Sequence, residues 1–254
     1  MGYRVRRLMG HADMRRTFTS LVLGLALLVG GGGFGLAQDL EAGFAAFKRG
    51  DFATAFRMWS ILAAKGDAKA QYNLGVLYDE GQGVTQDYRE AVRWYRLSAE
   101  QGYSDAQYNL GQMYRMGKGV LQDDQEAVKW YRLAAQNGHP RAQYNLGQMY
   151  YMGKGVLQDD QEAVKWYRLA AQNGHALAQY NLGAKYAKGQ GVTQDYVYAH
   201  MWWNIAASSR ASGDQISAGA AKSRDDVASK MTAAQIARAQ ELAKQCVAKN
   251  YKGC

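Results

Sequence analysis

Apolar residues recur along this chain at helical spacing, and the pattern itself recurs. Ala70, Leu74, Leu77 and Tyr78 fall three and four apart, on one stripe of a helix. The stripe lies in the phrase Ala-Gln-Tyr-Asn-Leu-Gly, which begins at Ala70 and returns at Ala106, Ala142 and Ala178, 36 residues apart each time. Units 106–141 and 142–177 differ at three positions only: Arg115/Tyr151, Pro140/Ala176 and Arg141/Leu177. Units 70–105 and 178–213 keep the same frame with more divergence. A period of this length is one helix-turn-helix pair of a solenoid.

Within a unit the elements follow from local chemistry. Gly75 inside helix A costs about 1 kcal/mol, so a second helix is expected to lie too close there for a side chain. Gly111, Gly147 and Gly183 take the same place. Gly81 stands where a left-handed C-cap belongs. A turn, Gly-Gln-Gly-Val-Thr-Gln-Asp, follows, with Val84 expected to plug inward. Helix B opens at Asp87, with Glu90 three residues on as an acidic variant of the capping box. Asp123 with Glu126 and Asp159 with Glu162 repeat it. Ala91, Trp94, Tyr95 and Ala99 form the inner face, and Gly102 ends the helix. Trp94, Trp130, Trp166 and Trp202 are expected to be the heaviest core members, each stabilising by about 2–3 kcal/mol when buried. One unit cannot cover its own stripe; stacked units can.

These residues resemble the Sel-1-like repeat, a relative of the tetratricopeptide repeat. The family pattern falls on Ala70, Leu74, Gly75, Tyr78, Gly81, Gly83, Val84, Asp87, Ala91, Trp94, Ala99 and Gly102. The next two units match at every place, and the fourth has Arg210 where the final glycine belongs. The resemblance covers roughly residues 70–210. It implies an all-α, right-handed α/α solenoid that binds proteins. Similar proteins serve in envelope signalling, secretion and polysaccharide export.

The flanks differ. Leu40 to Lys48, the Gly50-Asp51 turn, and Phe52 to Ala64 read as a shorter tetratricopeptide-like pair that caps one end. Met58 stands 36 before Trp94 and keeps helix B in register. After Ser208 to Asp214, Thr232 with Gln235 is another capping box, and Ile236, Ala239, Leu242 and Ala243 give a stripe. At the other end, Arg4, Arg6, Arg7, Arg15 and Arg16 precede an apolar run from Leu21 to Phe34. That run is too short and glycine-rich for a span of about 20 residues. It reads as a signal peptide cleaved after Ala37. Sec export is favoured, although Arg15-Arg16 with Phe18 partly matches a twin-arginine signal. The chain thus divides into a signal peptide (1–37), an N-terminal pair (38–69), four repeats (70–213) and C-terminal capping helices (214–254). A periplasmic or secreted protein is expected, with no stable membrane insertion after cleavage.

Charge changes this picture little. The net charge is +9 over 254 residues, and without residues 1–37 it is +5, from 26 Lys/Arg against 21 Asp/Glu. The excess is spread rather than clustered, which argues against nucleic acid. Cys246 and Cys254 would stand about 12 Å apart in one straight helix, too far for a disulfide. In an oxidising compartment the pair suggests a disulfide, with the chain turning back at Asn250 and Gly253.

No catalytic, cofactor or metal constellation emerges. His139 and His175 sit at equivalent unit junctions and read as linker residues, and His200 as a partly exposed helix position. Asp123-Asp124 and Asp159-Asp160 are explained as helix caps and dipole partners. Cysteine-rich members of the resembled family, associated with β-lactam binding or hydrolysis, carry a cysteine pair in each repeat; here the repeats contain none. That enzymatic alternative, and a secreted host-interacting role, stand behind the first expectation of a monomeric scaffold.

One face offers binding. With Leu74 inward, the 100° step places residues 72, 76 and 79 on the opposite side of helix A. These are Tyr72, Tyr108, Tyr144 and Tyr180, then Gln112 and Gln148, then Arg115 and Tyr151, bordered by Asn73, Asn109 and Asn145. The resemblance implies that helix A lines the concave face, where Tyr and Asn suit a protein or peptide partner. The other reading is that each Tyr merely packs on the next helix. On the binding reading, alanine at Tyr108 and Tyr144 weakens capture and leaves melting nearly unchanged.

Overall fold

A computed structural model of the protein describes residues 39–209 and 213–254. The expected signal segment and part of the expected break after Ser208 lie outside the described residues. Twelve α-helices and no strand occur among the described residues. α1 (39–48) pairs with α2 (Phe52–Ala64). Four A/B pairs follow: α3 (Ala68–Glu80) with α4 (Tyr88–Glu100), α5 (Ser104–Met116) with α6 (Asp124–Gln136), α7 (Pro140–Met152) with α8 (Asp160–Gln172), and α9 (Ala176–Lys188) with α10 (Tyr196–Ser208). α11 (Gly213–Ala228) and α12 (Ala233–Ala248) close the chain. Each helix packs on its partner and on the next pair, giving an all-α repeat solenoid.

The caps set the lengths. Asp87, Asp123, Asp159 and Asp195 each accept from two backbone N–H groups in the first turn of helix B. The capping box expected there is only half made. The Asp87 N–H donates to the Tyr78 carbonyl at 3.0 Å, and Glu90 turns outward to Arg93 at 2.9 Å. Units 2 and 3 do the same with Lys129 and Lys165. At α12 both halves form, between Thr232 and Gln235.

Each letter of the repeated phrase has a place in the packing. The alanine and leucine are buried. The glycine seats a ring. A Cβ on Gly75 would stand 2.6 Å from the Tyr95 ring, and on Gly111 and Gly147 2.7 and 2.8 Å from Tyr131 and Tyr167. Gly183 meets Trp203 and, in the first pair, Gly43 meets Trp59 in the same manner. The ring seated on the glycine is therefore the residue after the expected tryptophan, while Trp130, Trp166 and Trp202 are buried as expected. Tyr95, Tyr131 and Tyr167 are fully buried, while Trp94 is half-buried with Arg93 stacked above it at 4.1 Å. In the N-terminal pair Trp59 holds this place rather than Met58.

The glutamine was overlooked in the sequence. Gln71, Gln107, Gln143 and Gln179 are buried, and each donates to the carbonyl of Ala63, Ala99, Ala135 or Ala171 at the end of the preceding helix B. Asn137 and Asn173, at the end of the same unit's helix B, donate to Gln107 and Gln143 at 3.2 and 2.9 Å. Two neighbouring units are thus tied through each of these two amides. The second glycine of the A–B loop ties neighbours as well. A Cβ on Gly155 would collide with the Asp124 carbonyl at the start of the preceding helix B.

At the C-terminal end α11 packs on α10 and touches α9, and α12 covers another side of α10. Ala239, Ala243 and Cys246 are the buried residues of α12. Cys246 and Cys254 are disulfide-bonded, with their Cα atoms 5.7 Å apart after the chain reverses through Asn250, Tyr251 and Gly253. The reversed tail reaches unit 3: Lys252 Nζ donates to Asn173 at 2.7 Å, and Tyr251 lies against Gly174.

Candidate functional site

The A helices hold the expected row. Tyr72, Tyr108, Tyr144 and Tyr180 project from equivalent points of α3, α5, α7 and α9, and all are half-buried. Each leans on the large ring of its own helix B. The centroid separations are 5.9 Å to Tyr95, 6.0 Å to Tyr131, 5.9 Å to Tyr167 and 6.5 Å to Trp203. On the other side each of the first three meets a junction residue: Tyr103 for Tyr72, and stacked imidazoles 4.6 Å away for Tyr108 (His139) and Tyr144 (His175). The tyrosines therefore bridge units as well as line a face. Both readings of the sequence thus have a basis here: Tyr108 and Tyr144 pack between units, as the packing reading expects, and remain partly exposed, as the binding reading requires.

The polar groups on this face form similar small networks in units 2 and 3. Gln112 donates to the Tyr108 hydroxyl at 3.2 Å, accepts from the Tyr131 hydroxyl, and accepts from Arg115 Nε at 3.1 Å. Gln148 donates to the Tyr144 hydroxyl at 2.7 Å and accepts from that of Tyr167 at 2.6 Å. Asn145 reaches Gln112 at 3.4 Å; Asn109 serves the hydroxyls of Tyr72 and Tyr95, and Asn181 those of Tyr144 and Tyr167. Asn73 is buried. Burial raises the Tyr95, Tyr131 and Tyr167 hydroxyls well above the usual phenol range, so they act as neutral donors.

The outer members differ by unit. Arg115 is exposed. Tyr151 is 39% exposed and carries Lys185 Nζ above its ring at 3.7 Å. Tyr180 does not lie on an open face. It shares an apolar cluster with Ala220 and Val227 of α11, and its ring is 3.9 Å from a Cβ placed on Gly219. Ala184 and Ala187, which stand where other units have Gln112 and Arg115, belong to the same cluster.

Charge runs along the face. Asp79, Glu80 and Asp105 stand toward unit 1, and Arg115 and Arg141 in units 2 and 3. Arg141 is exposed, and its charge acts on Tyr72, Asp105 and His175. Among the described residues neither Arg115 nor Arg141 has a carboxylate within ion-pair distance.

The histidines are more than linkers. His139 and His175 are helix N-caps whose Nδ1 atoms accept from Ala142 N at 3.1 Å and Ala178 N at 3.3 Å. His139 Nε2 lies 3.2 Å from Asp105, and that bond is the main cause of the lowered Asp105 pKa. His175 has Arg141 nearby instead; burial first, then that charge, lowers its pKa to about 4. The signal was a period-36 column, Asp67, Tyr103, His139 and His175, directly before each helix A. His200 is fully buried rather than partly exposed, and burial lowers its pKa.

Among the described residues no three His, Cys, Asp or Glu side chains converge as a metal site requires. No described helix is long and apolar enough to cross a membrane. The model of the Sel1 repeat matches residues 68–103, 104–139, 140–175 and 176–209. A Sel1 repeat protein from Oxalobacter formigenes is 32% identical over 83% of this chain and 88% of its own, with a TM-score of 0.69. A protective antigen present in uropathogenic Escherichia coli strains, displaying an SLR fold, is 28% identical over 85% of this chain and 62% of its own, with a TM-score of 0.46. No curated protein matches the chain.

Proposed function

The chain belongs to the Sel1 repeat family, and from that premise we propose that it is an exported scaffold of the cell envelope that captures a protein partner on its A helices. Sel1-repeat proteins are generally interaction scaffolds without chemistry of their own. The observation that carries the choice of face is the contrast between units. The row Tyr108–Gln112–Arg115 and its neighbour Tyr144–Gln148–Tyr151 repeat at one spacing, while the corresponding row of unit 4 is covered by α11. A face of rigid aromatics and amides is suited to protein recognition. Export is supported by the basic and apolar start of the chain and by the Cys246–Cys254 disulfide, which persists in oxidising compartments.

The test is capture from an envelope extract by the chain beginning at residue 38, as wild type and as an Arg115→Glu/Gln148→Ala variant. Loss of the wild-type partner by a variant that stays folded at the assay temperature, read by circular dichroism, supports the reading. An identical set of captured proteins overturns it.

A further inference from the structure

The last unit already has a helix seated beside its row. α11 rests with Gly219 against Tyr180, and with Ala220 and Val227 buried in one cluster with Trp203. Its polar ties include Ser217 Oγ, which donates to the Ala207 carbonyl, and Arg224 Nη1, which donates to Asn204 at 3.3 Å. A helix can come this close to a tyrosine because glycine and alanine present almost no side chain. The same tyrosine-on-ring pair stands in units 2 and 3, as Tyr108 on Tyr131 and Tyr144 on Tyr167. Among the described residues no helix covers these two.

What changes is the border. Ala184 and Ala187 are replaced by Gln112 and Arg115, then by Gln148 and Tyr151. Neither Arg115 nor the exposed Arg141 makes an ion pair among the described residues, although the Arg141 charge acts on Asp105. An occupant of this stretch meets two cations where α11 met methyl groups. In sequence α11 carries Lys222 and Arg224 as well as Asp214, Asp225 and Asp226, and it is Ala220 and Val227 that share the apolar cluster of unit 4.

Resting on the proposed capture face, we infer that α5 and α7 receive a helical segment of the partner protein. Its small residues lie over Tyr108 and Tyr144, and its carboxylates reach Arg115 and Arg141. α11 is the in-chain precedent for the helix; the two arginines set the charge.

Four synthetic 16-residue peptides test this by fluorescence anisotropy against the full chain at low salt. Three share an Ala/Gly face and carry four Glu, four Gln or four Lys on the flanks; the fourth is the Glu peptide with a central proline. The Glu peptide binds at least tenfold tighter than the Lys peptide and at least tenfold tighter than the proline form. Arg115→Glu with Arg141→Glu reverses the charge order. Equal affinities, a preference for Lys, no binding by any peptide, or full binding by the proline form each overturns the inference. The two readings separate cleanly. If the envelope partner is lost on Arg115→Glu/Gln148→Ala while the peptides show no such order, the face stands and the acidic helix falls.

Discussion

Lys185 Nζ stands 3.7 Å from the centre of the Tyr151 ring, across the junction of units 3 and 4, and 2.7 Å from Asp160. Both residues break the repeat. Units 1 to 3 have Leu77, Met113 and Met149 where unit 4 has the buried Lys185, and unit 2 has Arg115 where unit 3 has Tyr151. The two departures answer each other: an arginine at 151 would set one cation against another. Tyr151→Arg therefore costs about 1–2 kcal/mol, from the lost cation–π contact and the new repulsion. At about 2–4 °C per kcal/mol for a chain of this size, thermal melting drops by several degrees. Adding Lys185→Met recovers most of the loss, and a double-mutant cycle reads the coupling directly.

Gly147→Ala places a Cβ 2.8 Å from the Tyr167 ring, which is wedged in the core. Overpacking of this kind costs about 1–3 kcal/mol. Gly138→Ala tests a different constraint, since nothing lies within 4 Å but φ is +81°; its cost is about 1 kcal/mol. Urea denaturation of the two variants gives the larger loss to Gly147→Ala.

Gln143→Met keeps the volume of a buried side chain but leaves the Ala135 carbonyl and the Asn173 amide without their partner. Each orphaned group costs about 1–3 kcal/mol. The same change at the exposed Gln136 is within about 0.5 kcal/mol of wild type. Equilibrium unfolding of the pair checks both values.

His175 is held neutral when folded, with its pKa lowered from 6.5 to about 4. The unfolded chain then binds more protons between those values. Its share of stability is full above about pH 6.5 and is lost as pH falls toward 4. His175→Asn keeps an N-cap acceptor and removes the titration. Melting measured from pH 7 to 4 falls less steeply in that variant than in wild type.

Reduction of Cys246–Cys254 removes about 2 kcal/mol and frees a tail held by Lys252 on Asn173 and by Tyr251 on Gly174. Limited trypsin digestion under reductant cuts first at Lys249 and Lys252. The oxidised protein resists at both sites.

The solenoid was legible because its grammar is local. Helical spacing, cap residues and a fixed period specify each pair without knowledge of the rest. Trp130, Trp166 and Trp202 enter the core as the period predicts, but Trp94 does not, since size alone does not decide which of two adjacent rings goes deepest: Gly75 admits Tyr95, and Trp94 remains under Arg93. The buried glutamines were missed because a polar residue in a repeated phrase looks like surface until its carbonyl partner, eight residues upstream, is seen. The covering of Tyr180 was not legible either. α11 is not a repeat unit, and no periodicity announces where it packs.

The claim that the A helices of units 2 and 3 are the capture surface is tested most directly by photo-crosslinking. Benzoylphenylalanine is placed at Gln112 or Gln148 on that face, and at Arg93 or Lys129 on the exposed side of helix B. The account predicts covalent adducts with the envelope partner from positions 112 and 148 and none from 93 and 129. Adducts confined to positions 93 and 129 would contradict it.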